Sequence, residues 1–448
     1  WTALIAAYID QGHGKDSLRC LERMLSEQLV PNIATFLCSM KACGSIKAIE
    51  RGQELHAMIT KNGWEKDHFL SNAIIDMYAK YGLLSNAEQV FDRLVMRSAV
   101  SWNCLIAGYV KHGYNEEALR CFELMQVQML EDHAITPTTV TFVCSLKACG
   151  IIGETRKGQE LHVEIEGNGF LEKEVTAGNA LVNMYCKHGL VEKATKVFNR
   201  LSIRDVVSWT ALIAGCVEHG DSMKALEYFE EMKAAGVSPN AHTLASCLKA
   251  CGNISAIDKV DEIYTQIKRK RILERDIVLG NTLVDIYAKC GFLEKAKVIF
   301  NELSVRNVIT WTSLISGYSD HGHDEQAITC FEQMQLEGIF PDALTFVCIL
   351  KCCGTLKTIN KGCQIHIEIE RRGVLYKDVF VGNAMVDMYM KCGCLTKAQE
   401  VFDVLPMHGE TSWITFITGF LDQGKSVEAL KYFDSMQAEG VLSSTLTL

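Results

Sequence analysis

Nineteen cysteines and two His-x-Glu fragments are the residues of this 448-residue chain best suited to hold a metal or carry out catalysis. Their positions argue against both uses. Cys43, Cys149, Cys251 and Cys353 recur in Lys-Ala-Cys-Gly or Lys-Cys-Cys-Gly; Cys20, Cys121 and Cys330 mark a second phase, Cys290 and Cys392 a third. No two cysteines form a C-x-x-C pair, so the commonest zinc spacing is missing. A small, buried, helix-compatible residue once per repeat explains the pattern, and free thiols suit a reducing interior. His162-Val163-Glu164 and His366-Ile367-Glu368 set a metal-ligand type beside a carboxylate, but they stand 204 residues apart at one phase, and His56 shares that phase without the glutamate. These too are repeat residues. No catalytic site, metal or cofactor is expected.

The elements behind that periodicity are visible around five tryptophans. Val206-Val207-Ser208-Trp209-Thr210-Ala211-Leu212-Ile213-Ala214-Gly215 has near-copies beginning at Ala99, Val308 and Glu410, and the chain opens inside another. Trp1, Trp102, Trp209, Trp311 and Trp413 are spaced 101, 107, 102 and 102 residues apart, the outlier reflecting a five-residue insertion around Gln128–His133. A motif on such a schedule is a structural unit.

Each interval divides in three: Val206–Asn240 has 35 residues, Ala241–Asp276 has 36 and Ile277–Asn307 has 31. The next round is 308–342, 343–378 and 379–409; upstream lie 33–67, 68–98, 99–138, 139–174 and 175–205. The ends are 1–32, 410–444 and a stub, 445–448. The chain starts without methionine inside one unit and stops inside another, which reads as a fragment.

Each unit reads as two helices. Leu212, Ile213, Cys216 and Val217 form one apolar stripe, and Ala225, Phe229 and Met232 a second at i, i+4 and i+7. Gly220 sits between them, with Gly12, Gly113, Gly322 and Gly424 as counterparts. One pair cannot bury its apolar faces alone, so stacking is obligatory. The expected fold is all-α, a right-handed α-solenoid of antiparallel helix-turn-helix repeats running continuously over residues 1–448. A net charge of −9 gives no basic-protein signature, and no apolar run approaches a membrane span. No membrane and no small-molecule substrate are expected.

The 35/36/31 alternation, the V-S-W-[NT]-x-L-I entry, Lys-Ala-Cys-Gly, and the Gly-Asn-Ala-[LM]-Val-[ND]-Met-Tyr of the short units resemble the plant-type pentatricopeptide repeat proteins, with their alternating P, L and S units. A tetratricopeptide-like protein-interaction solenoid is the alternative, but it keeps a uniform 34-residue period. The resemblance implies single-stranded RNA binding at about one base per repeat. It implies organellar transcript processing such as C-to-U editing, in mitochondrion or plastid, with editing-complex proteins as further partners. Relatives of this architecture often end in a cytidine deaminase domain, whose H-x-E the two fragments resemble, but no P-C-x-x-C follows either.

In that family the fifth and last residues of each P and S unit read the base. Here these are Thr2/Asn32, Asn72/Ser98, Asn103/Thr138, Asn179/Asp205, Thr210/Asn240, Asn281/Asn307, Thr312/Asp342, Asn383/Gly409 and Ile414/Ser444. Up to the last pair, only Asn or Thr holds the fifth site, a restriction no core position would show. A carboxylate can only accept, so Asp at the last site suits the ring N–H of G or U. Asn or Ser can donate to the bare ring nitrogen of A or C. From the family, Thr at the fifth site selects purine and Asn pyrimidine. The resulting preference, 5′ to 3′ with L units blank, is A-n-C-Y-n-U-A-n-Y-G-n-Y-n. The L units carry Leu37, Val143, Ala245 and Val347 at the fifth site, which cannot hydrogen-bond a base edge.

Phosphate contacts need cations. Lys80, Lys187, Lys289 and Lys391 stand at position thirteen of the S units, eight residues beyond the fifth-site Asn and close to the same helical face. Lys41, Lys147, Lys249 and Lys351 stand at position nine of the L units. Asp10, Glu218, Asp320 and Asp422 hold position thirteen of most P units and interrupt the stripe.

Overall fold

In a computed structural model, which describes residues 1–131, 135–274, 276–375 and 378–441, the chain is helical, with no strand among the described residues. It divides into two compact units, Trp1–Ser238 and Pro239–Leu448. Both are built from helix pairs such as Val175–Lys187 with Val191–Arg200 in the first unit and Val308–Asp320 with Asp324–Leu336 in the second.

Turn chemistry sets the pairs. Asp205 precedes Val206–Glu218 in extended geometry, and its carboxylate accepts from the amides of Val207 and Ser208, satisfying two of the helix's orphan donors. At the far end Gly220 takes φ +83°, a conformation L-residues resist, and turns the chain into Ser222–Ala234. The 31-residue repeats are short because their second helix loses a turn: Leu293–Glu302 has 10 residues where Ser222–Ala234 has 13. The insertion acts in the opposite sense. Asn115–Glu131 runs to 17 residues, so the extra residues begin by lengthening a helix; 132–134 lie outside the described residues.

Within each unit, every first helix packs on the first helices before and after it and on its own second helix, whereas second helices make no comparable contact with one another. Packing between repeats explains the tryptophan schedule. Phe91, Phe198, Phe300 and Phe402, on second helices, meet Trp102, Trp209, Trp311 and Trp413 of the next first helix edge to face, with centroids 4.5–4.9 Å apart. Arg97, Arg204 and Arg306 lie over the first three rings, and His408 stacks on the fourth. Burying each such aromatic stabilises the stack by about 1.5–3 kcal/mol. Ala87, Ala194, Ala296 and Ala398 are fully buried, letting the helices close in.

The cysteines are free thiols, eleven of them buried. No group of His, Cys, Asp or Glu among the described residues could hold a metal ion, and no helix there is long and apolar enough to cross a membrane. The His-x-Glu histidines are structural: the Nδ1 atoms of His162 and His366 lie 2.8 and 2.7 Å from the hydroxyls of Tyr185 and Tyr389, and His56 pairs with Tyr78 in the same way. Glu164 accepts from Gln126 Nε2 at 2.7 Å.

Candidate nucleic-acid interface

The fifth residue of a first helix is recessed, and the last residue of the same repeat caps the helix that follows. Their side chains meet. Asn103 Nδ2 donates to Thr138 Oγ1 at 2.9 Å, across the insertion. Asn179 Nδ2 lies 3.1 and 3.3 Å from the two Asp205 oxygens, Asn281 Nδ2 donates to Asn307 Oδ1 at 3.3 Å, and Thr312 Oγ1 reaches Asp342 Oδ1 at 3.4 Å. Thr2 and Asn32 are joined through Thr35. No hydrogen bond links Asn72 to Ser98, or Asn383 to Gly409, which has no side chain. Thr210 belongs to the first compact unit and Asn240 to the second. Ile414 is half-buried, and Ser444 lies outside the described residues.

Capping fixes what the last residue shows to solvent. A backbone N–H can only be met by an acceptor, so the N–H of Thr35 orients Asn32 with Oδ1 toward the helix, at 2.9 Å, and Nδ2 away. Asn240 and Asn307 are turned likewise, by the N–H of Thr243 and of Thr310. Asp342 uses Oδ1 in the same way, on Thr345 at 2.8 Å, which leaves Oδ2 outward. An Asn at this site therefore presents a donor and an Asp an acceptor. Capping and presentation are two ends of one side chain.

The pair Asn179/Asp205 opens into a cleft of about 330 Å³ lined by three consecutive first helices, with Val143, Lys147, Lys187 and Val207 on its walls. Of the position-thirteen lysines, three are held by an aspartate four residues earlier: Lys80 by Asp76 at 2.6 Å, Lys289 by Asp285 at 2.8 Å and Lys391 by Asp387 at 2.7 Å. Lys187 has Asn183 at that place and no ion-pair partner among the described residues. Lys351 pairs with Asp320 at 3.1 Å, joining a position-nine lysine to a position-thirteen carboxylate.

One set of residues escaped the sequence reading. The second residue of most repeats is a large apolar side chain more than half exposed: Phe69, Val100, Val140, Val207, Val278, Ile309, Leu344 and Phe380. Each immediately follows the first residue of its helix, beside the capping residue. The signal available was an apolar residue at fixed phase that falls off both apolar stripes.

Comparison with known proteins adds the following. The PPR repeat family matches residues 97–150, 204–253 and 306–355. A second pattern, PPR repeat, matches 69–98, 179–206, 281–308, 383–409 and 411–441, and the pentatricopeptide repeat domain matches 1–45. Pentatricopeptide repeat-containing protein At1g15510, chloroplastic, of Arabidopsis thaliana is 31% identical over the whole chain and 51% of its own length. Pentatricopeptide repeat-containing protein At4g18520, chloroplastic, of the same organism is 36% identical over 80% of the chain and 57% of its own length. The chain thus spans a little over half the length of these curated relatives. Among solved structures, the pentatricopeptide repeat protein PPR10 from maize superposes with a TM-score of 0.60 at 16% identity, covering 100% of this chain and 80% of that one. PPR10 in complex with an 18-nt psaJ RNA element gives 0.58 at 17% identity with the same coverage. At these identities the superpositions establish the fold.

Proposed function

Since the chain belongs to the pentatricopeptide repeat family, we propose that it is a sequence-specific single-stranded RNA-binding segment that reads about one base per P or S repeat. The observation that carries this reading is the arrangement of the pairs. A recessed Asn or Thr stands against a capping residue, and where a backbone amide orients that cap, as at Asn32, Asn307 and Asp342, the cap offers the groove a defined donor or acceptor. The thirteen repeats follow the P, L, S order, and the L repeats, with Leu37, Val143, Ala245 and Val347 at the fifth site, act as spacers. Exposed second-position residues supply the apolar walls between which a base inserts, and Phe69 and Phe380 give it a ring to stack on.

Lys187 and Lys147, flanking the cleft at Asn179/Asp205, are placed to meet phosphate. The segment is a binding module and not an enzyme; its role is transcript recognition in an organelle, plastid or mitochondrion, as in C-to-U editing, alongside editing-complex proteins. The names of the chloroplastic relatives support the plastid, and the RNA-bound PPR10 supports an RNA partner. Fluorescence anisotropy with the RNA AACCAUAACGACA, which follows the preference string with n as A and Y as C, tests it. Tight, salt-sensitive binding that falls at least tenfold for a shuffled RNA of equal composition is expected. Equal affinity for both RNAs, or none for either, returns the chain to the interaction-scaffold reading.

A further inference from the structure

Behind each reading pair lies a third side chain, the third residue of the following repeat, and it is fully buried. In four of the pairs that residue is a threonine whose hydroxyl touches both members. Thr35 Oγ1 is 2.8 Å from Asn32 Oδ1 and 2.8 Å from Thr2 Oγ1. Thr141 Oγ1 is 3.2 Å from Thr138 Oγ1 and 2.5 Å from Asn103 Oδ1. Thr310 Oγ1 is 3.0 Å from Asn307 Oδ1 and 2.5 Å from Asn281 Oδ1. Thr345 Oγ1 is 2.6 Å from Asp342 Oδ1 and 2.7 Å from Thr312 Oγ1.

Where the third residue is serine, the bridge to the fifth residue is missing. Ser101 and Ser208 turn back onto the carbonyls of Ser98 and Asp205, and Ser412 Oγ has no partner among the described residues. The fifth-site amides in front of two of these serines are left short: Asn179 Oδ1 and Asn383 Oδ1 are buried without a hydrogen bond, although Asn179 is only 8% exposed. Behind the apolar fifth residues of the L repeats the third residue is apolar as well, Leu70, Ala177, Leu279 and Val381.

Building on the RNA-binding reading, we propose that this buried third residue is a positioning residue that sets the base discrimination of the pair in front of it. The reason is the direction of the protons. Asp342 can only accept, so the Thr345 hydroxyl donates to it and must accept from Thr312; the Thr312 proton is then used inward and its lone pairs face the groove. Thr310 accepts from the backbone N–H of Asn307 and donates to Asn281 Oδ1, which fixes the orientation of the Asn281 amide, with one Nδ2 proton on Asn307 Oδ1 and the other left over for a base. Branching at Cβ restricts the threonine rotamer, whereas a serine hydroxyl swings to the nearest carbonyl. Thr-backed pairs are held in one hydrogen-bonding state, and Ser-backed pairs keep two. The first discriminate more sharply.

The test is a ratio at one base. Wild type, Thr345→Val and Ser208→Thr are titrated with AACCAUAACGACA, with the same RNA carrying A in place of its G, and with C in place of its U. Thr345→Val is expected to cut the G-over-A ratio by about tenfold, the size of one charge-assisted hydrogen bond, and to leave the U-over-C ratio unchanged. Ser208→Thr is expected to raise the U-over-C ratio and leave G over A alone. Because each readout is a ratio within one variant, a general loss of folding does not imitate it. A Thr345→Val chain that keeps the wild-type ratio, or one that loses both ratios together, overturns the inference while wild-type discrimination leaves RNA reading intact. A wild type that binds none of the three RNAs overturns the RNA reading and this inference with it.

Discussion

Replacing Gly317 by alanine sets helix propensity against packing. Gly317 lies inside the first helix Val308–Asp320, where alanine is worth about 1 kcal/mol over glycine. A Cβ there would sit 2.5 Å from Ala288 Cβ and 3.1 and 3.2 Å from its Cα and carbonyl carbon. Carbon atoms rest about 3.5–4.0 Å apart, and Ala288 is itself fully buried with no rotamer to change. Relief requires two first helices to separate, and overpacking of this kind costs about 1–3 kcal/mol. Packing offsets or exceeds that gain, leaving Gly317→Ala roughly 0–2 kcal/mol less stable than wild type. Gly167, at the end of Thr155–Gly167, is the control: nothing lies within 4 Å of its added Cβ, so Gly167→Ala should gain up to about 1 kcal/mol. Urea denaturation followed by circular dichroism separates the two. If Gly317→Ala proves as stable as Gly167→Ala, close approach of successive first helices does not limit this stack.

Two further predictions concern charge. Lys187→Ala should weaken all RNAs alike and lower the slope of log K against log salt by about one phosphate contact, while Lys80→Ala, already neutralised by Asp76, should do so less; salt titrations of the two variants decide it. Burial pushes the thiols of Cys149 and Cys186 up to about 12, and that of Cys251 to about 11, from an ordinary value of 9.0. Their contribution is complete below pH 9 and declines as pH rises toward 11–12, because the unfolded thiols ionise first. The melting midpoint should therefore fall between pH 8 and 10.5, and a constant midpoint would contradict burial of these thiols.

The helical stack was legible because its determinants are local and repeated. Trp209 and Phe198 are fixed letters in successive repeats, so the tryptophan spacing reports a contact that the structure shows directly. What was hidden depends on how side chains turn. Lys289 and Asp285 are both plain in the sequence, yet whether the lysine meets its neighbour or extends into the groove is a rotamer choice. Val207 and Phe380 fall off both apolar stripes of their repeats, and only the stacking geometry shows that they stay exposed. His162 pairs with Tyr185 in the next repeat, a partner set by how the repeats pack and not by the His-x-Glu spacing that suggested chemistry. The division at Ser238–Pro239 left no mark in the repeat pattern.

Asp342→Asn tests the reading of bases most directly. Asp342 Oδ1 accepts from the amide and hydroxyl of Thr345 at 2.8 and 2.6 Å, and an asparagine can keep both bonds with its own Oδ1. The cap survives, and only the outward group changes, from an obligate acceptor to a donor. Titrated against AACCAUAACGACA and its counterpart with A in place of G, wild type should prefer G and the variant A. The change should be about 1–3 kcal/mol, the scale of a discriminating base contact, with every other position unaffected. A variant that still prefers G, or that loses affinity for both RNAs equally, would contradict the account.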